Sequence, residues 1–158
     1  MSKSDNESPE ARLRDTLFTV YPQEPIPGGE ELITCGCSEC LGLRDTLSGK
    51  RWGDLTYDEI FEQQCSLPLL TLRAHHYYLP AYLRLGLGPE GCGAEWTIYD
   101  LCQDGGCERI ETRFGLFSDP QKHVVAAWLK FILEQNVPGL VDYEAGWKGF
   151  NAYWCRYL

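Results

Sequence analysis

Long hydrophobic runs are missing from this 158-residue chain. No stretch approaches the roughly 18 consecutive apolar residues that mark a membrane span, and the richest, Val124 to Leu133, is interrupted by Lys130. The first ten residues hold no apolar core behind a basic start, so they do not read as a secretory signal, and the expected compartment is the reducing cytoplasm. Basic residues are also scarce. Fourteen Lys and Arg stand against 23 Asp and Glu, for a formal net charge of −9. That balance argues against a nucleic-acid partner, because phosphate neutralisation needs clustered cations. Glycine-rich phosphate loops, nucleophile elbows and His-Glu-x-x-His runs are absent as well, so no catalytic constellation is visible and the chain reads as a non-enzyme.

What is present supports a globular fold. Apolar residues make up 44% and aromatics 13%, which is enough to fill a core. The length fits one domain, read as residues 9–158 behind a disordered stretch at 1–8. Ser8-Pro9 starts a helix, with Ser at the N-cap and Pro in the first turn, and Leu13, Leu17 and Val20 continue it to about residue 20. Pro22, Pro25, Pro27, Gly28 and Gly29 then impose an extended connector. A second helix follows through Cys40, Leu43 and Leu47 and closes at Gly49. Thr56-Tyr-Asp-Glu59 forms a capping box.

Pro80 cannot donate a helical hydrogen bond, so the spacing predicts one helix near Leu72–Tyr78 and another from Pro80 to Gly86 or Gly88. Ser118-Asp-Pro-Gln121 opens a strong helix with Val125, Trp128, Leu129 and Ile132 inward, stopped at Val137-Pro-Gly139. Tyr143, Trp147, Phe150, Trp154 and Tyr157 make a one-faced aromatic helix, weakened by Gly146 and Gly149. The fold class is therefore mainly α, with room for a small strand pair around 96–114, where Arg109 to Phe114 alternates polar and apolar.

Eight cysteines in a reducing compartment point to thiols or metal ligands rather than disulfides. Cys35, Cys37 and Cys40 are the one tight group, and three thiolates suit a structural zinc ion. A fourth ligand is not adjacent; Cys65, His75, His76, Cys92, Cys102 or Cys107 would have to reach the group through the fold. Ordinary thiols and a Cys37–Cys40 redox pair are the competing readings. His75 and His76 point about 100° apart on a helix and cannot chelate one ion together.

The negative charge is concentrated. Asp54, Asp58, Glu59 and Glu62 fall within nine residues. Glu90, Glu95, Asp100, Asp104, Glu108 and Glu111 fall within 88–111, and these two segments account for the whole net charge. Acidic patches steer a basic partner, and Trp52, Trp96 and Tyr99 lie in or beside them, as interface anchors do. The candidate partner-binding residues are therefore Trp52, Asp54, Asp58, Glu59, Glu62, Glu95, Trp96, Tyr99, Asp100 and Asp104.

The combination Cys37-Ser-Glu-Cys40, Trp52-Gly-Asp54-Leu55, Tyr77-Tyr-Leu-Pro-Ala81 and Phe117-Ser-Asp-Pro-Gln121 resembles a set of small bacterial proteins with Cys-x-Glu-Cys, Trp-x-Asp-Leu, Tyr-Tyr-Leu-Pro-Ala and Phe-Ser-x-x-Gln segments. The resemblance covers most of residues 35–135. Similar proteins sit near polymorphic toxin genes, so the resemblance implies an immunity protein that docks its acidic, aromatic-bearing surface on a basic toxin domain. It carries over no catalytic residue. The alternative expectations are a zinc-stabilised regulatory module on Cys35, Cys37 and Cys40 and a thiol oxidoreductase.

Overall fold

A computed structural model describes residues 7–88, 93–102, 107–136 and 142–158. Eight α-helices follow in chain order: α1 Pro9–Val20, α2 Ser38–Leu47, α3 Tyr57–Glu62, α4 Leu72–Gly86, α5 Ala94–Cys102, α6 Cys107–Phe114, α7 Asp119–Gln135 and α8 Tyr143–Ala152. Short 3₁₀ turns at Gly29–Glu31, Trp52–Asp54, Leu67–Leu69 and Trp154–Tyr157 connect or finish them. Among the described residues there is no strand, only an isolated antiparallel bridge between Ile33 and Leu70. None of these helices is long and apolar enough to cross a membrane.

The start signals act as local chemistry predicts. Ser8 accepts from the Ala11 N–H, with Pro9 in the first turn. Thr56 and Glu59 close one capping box, and Ser118 and Gln121 close another. Ser8 is therefore an ordered cap within the stretch expected to be disordered, and residues 1–6 lie outside the described residues.

Two expectations are corrected. Pro80 does not divide the central segment: α4 runs unbroken from Leu72 to Gly86. A proline inside a helix costs about 3 kcal/mol through the lost donor and the clash of its ring with the preceding turn, but α4 is buried on nearly every side. Ala74, His75 and the whole of Tyr77–Leu83 lie in the interior. The Tyr78 hydroxyl donates to the carbonyls of Leu47 and Lys50, and the Tyr77 hydroxyl to that of Gln23. Tertiary contacts on this scale outweigh one missing donor.

The second correction is that the described residues of 96–114 form helices and no strand pair. Ala94, Thr97, Ile98 and Leu101 bury one face of α5, and Ile110 and Phe114 bury one face of α6. Ile110 and Phe114 are four residues apart, which satisfies a helix as well as a strand, and so short a window cannot separate the two periods.

α4 is the hub. It packs against α3, α5, α7 and the turns at Trp52–Asp54 and Leu67–Leu69, while α1 and α8 pack against α7. The aromatic tail turns inward, with α8 ending at Ala152 and Phe150, Tyr153 and Trp154 buried. Gly146 and Gly149 are contact points rather than weak spots. A β-carbon at Gly149 would stand 2.9 Å from the Cα of Cys102, and at Gly146 it would collide with the Leu133 side chain.

Candidate functional site

The extended connector delivers the cysteine group to its place. The Ile33–Leu70 bridge pins its end, with the Thr34 N–H and hydroxyl both donating to the Leu69 carbonyl. Four residues after Thr34, at Ser38, α2 begins, with Cys37 at its N-cap. Cys40 is fully buried, because α2 turns Cys40, Leu43 and Leu47 into the core. Cys35 and Cys37 are exposed. One thiol is thus anchored and two stand over it. The Cys35 sulfur lies 3.1 Å from the Cys37 sulfur and 3.1 Å from that of Cys40, and all three sulfurs lie within 4.8 Å of one another.

The three thiols share hydrogen bonds. The backbone amide of Cys40, then the thiols of Cys35 and Cys40, hold Cys37 below the ordinary thiol range. The hydrogen bond with Cys35, followed by burial, pushes Cys40 up to about 12. An ion bound by all three would replace protons that the group otherwise keeps. Thiolates on a tetrahedral zinc with bonds of about 2.3 Å stand roughly 3.8 Å apart. The two Cys35 separations of 3.1 Å are shorter, so the sulfurs would spread by under about 1 Å to hold such an ion, and the all-sulfur donor set suits it.

Among the described residues no fourth His, Cys, Asp or Glu joins the group. His75 is fully buried against Asp100, His76 meets Gln121, and Cys102 is half-buried facing the Gly146 carbonyl. Cys65 is exposed elsewhere. Cys92 and the side chain of Cys107 lie outside the described residues.

The acidic surface is smaller than the sequence implies. Trp52 is completely buried: its indole N–H donates to the Pro22 carbonyl, and its ring packs on Phe18 at 4.6 Å. It is therefore a core residue rather than an interface anchor. Asp100 is 2% exposed. One of its oxygens lies 2.6 Å from His75 Nε2 and the other 3.0 Å from an Arg113 nitrogen, so its charge is spent inside the protein. Glu59 is engaged by Lys50 and by the Thr56 cap, which hold its carboxyl down at about 2.

Asp104 lies outside the described residues. Asp54, Asp58, Glu62 and Glu95 remain exposed, as do Trp96 and Tyr99, whose ring centroids are 6.0 Å apart. On α3, Tyr57 and Phe61 stack at 6.0 Å with substantial exposure beside Asp58 and Glu62. A plain i, i+4 count on α3 points to this pair.

Sequence reasoning also passed over Arg14 and Arg84. The Arg84 guanidinium lies 5.3 Å from the centre of the Phe18 ring and donates to the Gly53 carbonyl at 2.9 Å. The Arg14 guanidinium donates to the Leu87 carbonyl at 2.6 Å. No short-range spacing announces a meeting of residues 70 positions apart.

Searches with the whole chain match no curated protein and no solved structure. One family model does match, over residues 41–158, starting one residue after Cys40. Because that match takes in α3 to α8 and most of α2, well over half of the chain, the protein belongs to a family of unknown function, DUF6714.

Proposed function

We propose that the protein is a zinc-stabilised interaction module in which Cys35, Cys37 and Cys40 hold one ion at the surface of the helical body. The observation that carries this reading is the placement of three sulfurs within 4.8 Å of one another. One of them is anchored in the core, and all are supplied by six consecutive residues. Soft thiolates suit zinc. Three protein ligands leave one position for water or for a donor from a partner, which fits a regulatory or docking role.

Protein purified under reducing conditions without chelator is expected to carry one zinc per chain by elemental analysis. Cys40→Ser should lose it, and removing the ion should lower the melting temperature of the wild type. Metal-free protein with all three thiols titratable would overturn the reading. A Cys37–Cys40 disulfide that cycles under mild oxidant would support the oxidoreductase reading instead.

A second reading, an immunity protein docking on a basic toxin domain, is supported by the exposed Trp96 and Tyr99 rings beside Glu95. Aromatic anchors within an acidic rim suit a cationic partner. In a binding assay with the product of the adjacent gene at low salt, Trp96→Ala combined with Tyr99→Ala is expected to weaken affinity by about 2 kcal/mol or more. Asp58→Lys with Glu62→Lys should slow association. No capture, or unchanged affinity in both variants, would dismiss it.

A further inference from the structure

Arg44, Arg51, Arg73, Arg113 and Arg156 each have a carboxylate within 4.0 Å. Arg12, Arg14, Arg84 and Arg109 have none among the described residues, although the chain carries a net charge of −9. Of these four, Arg14 and Arg84 are the two whose guanidinium is held on a backbone carbonyl of another segment. Both line one cleft of about 240 Å³ between α1, α3 and the end of α4, walled on its apolar side by Leu55, Ile60 and Leu85.

Arg84 is half-buried and held in place. Its guanidinium lies over the Phe18 ring at 5.3 Å and the Trp52 ring at 6.0 Å, and one nitrogen donates to the Gly53 carbonyl. Arg14 spends one nitrogen on the Leu87 carbonyl. A guanidinium has five N–H donors, so each retains several.

The two cations also oppose each other. Burial, then the charge of Arg14, pushes the pKa of Arg84 down, and exposed Asp54 offsets this only in part. Glu10, one turn before Arg14, has its carboxyl pKa lowered chiefly by hydrogen bonds to the backbone and to Ser8, and it does not reach salt-bridge distance of Arg14. Two like charges aimed at one half-apolar cleft, with donors to spare, leave room for a dianion.

We propose that this cleft binds a phosphate monoester carried on a small apolar group, with Arg14 and Arg84 donating to the phosphate oxygens and Leu55, Ile60 and Leu85 receiving the apolar part. A phosphate monoester carries nearly two negative charges at neutral pH, and guanidinium forks match its oxygens. The site is separate from the cysteine group and stands whether or not zinc binds there.

The test is calorimetry and amide NMR on the full chain with phenyl phosphate, benzoate and inorganic phosphate at low salt. Phenyl phosphate should bind saturably at one site, and Arg14→Gln and Arg84→Gln should each weaken it about tenfold or more, the loss expected for a charged hydrogen bond. Arg14→Lys should retain part of the binding, because it keeps the charge without the fork. Arg84 also holds the Gly53 carbonyl, so the exposed Arg14 variants carry the test if Arg84→Gln fails to fold. No saturation below about 10 mM, or equal binding by the Arg14→Gln protein, would overturn the proposal. Benzoate binding as tightly as phenyl phosphate would overturn the dianion, and inorganic phosphate doing so would overturn the apolar subsite.

Discussion

Asp100→Ala is expected to destabilise the protein by about 3–5 kcal/mol, the cost of removing one member of a buried ion pair. Asp100 and His75 are shut away from solvent, and Arg113 is 14% exposed. Without the carboxylate, His75 Nε2 faces apolar neighbours, including Phe114 at 5.3 Å between ring centroids. Among the described residues, Arg113 would keep only the Leu67 carbonyl. Because the carboxylate joins α4, α5 and α6, its removal uncouples three elements.

The pH dependence has a definite sign. Burial alone would raise the carboxyl of Asp100, but the charges and hydrogen bonds of His75 and Arg113 prevail and hold it below the usual range. A lowered folded-state pKa adds stability that is fully present above the unfolded value near 3.9 and disappears as pH falls through the folded value. Urea unfolding should therefore show a gap between wild type and Asp100→Asn that is present above about pH 5 and closes only in strong acid. Glu62→Ala, on the exposed face of α3, should change stability by less than about 0.5 kcal/mol. A comparable loss in that control would remove the buried pair as the cause.

Trp128→Ala should cost a similar amount, about 3–5 kcal/mol, for a different reason. The indole is fully buried and its N–H donates to the Leu83 carbonyl at 2.8 Å, in the last turn of α4. A β-carbon at Gly86 would collide with this ring, so α4 meets α7 at a position open only to glycine. Truncation leaves a cavity and an unpaired carbonyl together. Trp128→Phe separates the two terms: it keeps most of the apolar volume and should lose only about 1–3 kcal/mol, the cost of a buried acceptor left without its donor. Equal losses in the two variants, measured by denaturant midpoint at constant slope, would show that packing volume is not what matters at this contact.

Against a typical total of 5–15 kcal/mol, either alanine variant leaves little margin. That places the weak points of this molecule at the hub helix. The exposed carboxylates of α3 and the aromatic pair of α5 are, by contrast, free to change without unfolding it.

Caps, turns and short-range apolar spacing were readable because they act over three or four residues. The hydroxyls of Ser8, Thr56 and Ser118 meet backbone amides within the same turn. The helical class, the inward aromatic tail and the grouping of Cys35, Cys37 and Cys40 all follow from such local terms. Burial and charge pairing do not. Asp100 looks like a surface acid until α4 places His75 beside it, 25 residues away in sequence. Trp52 looks like an anchor until the connector carbonyl at Pro22 caps its indole. Pro80 looks like a helix break until the core closes on all sides of α4.

The meeting of Arg14 and Arg84 depends on α1 and α4 sharing a cleft with α3. Local hydrogen bonding and periodicity therefore determined where most helices start and which residues form the thiol group. The tertiary structure decided which charges are spent inside and which remain available at the surface, because desolvation and ion pairing depend on neighbours that only the packed chain brings together.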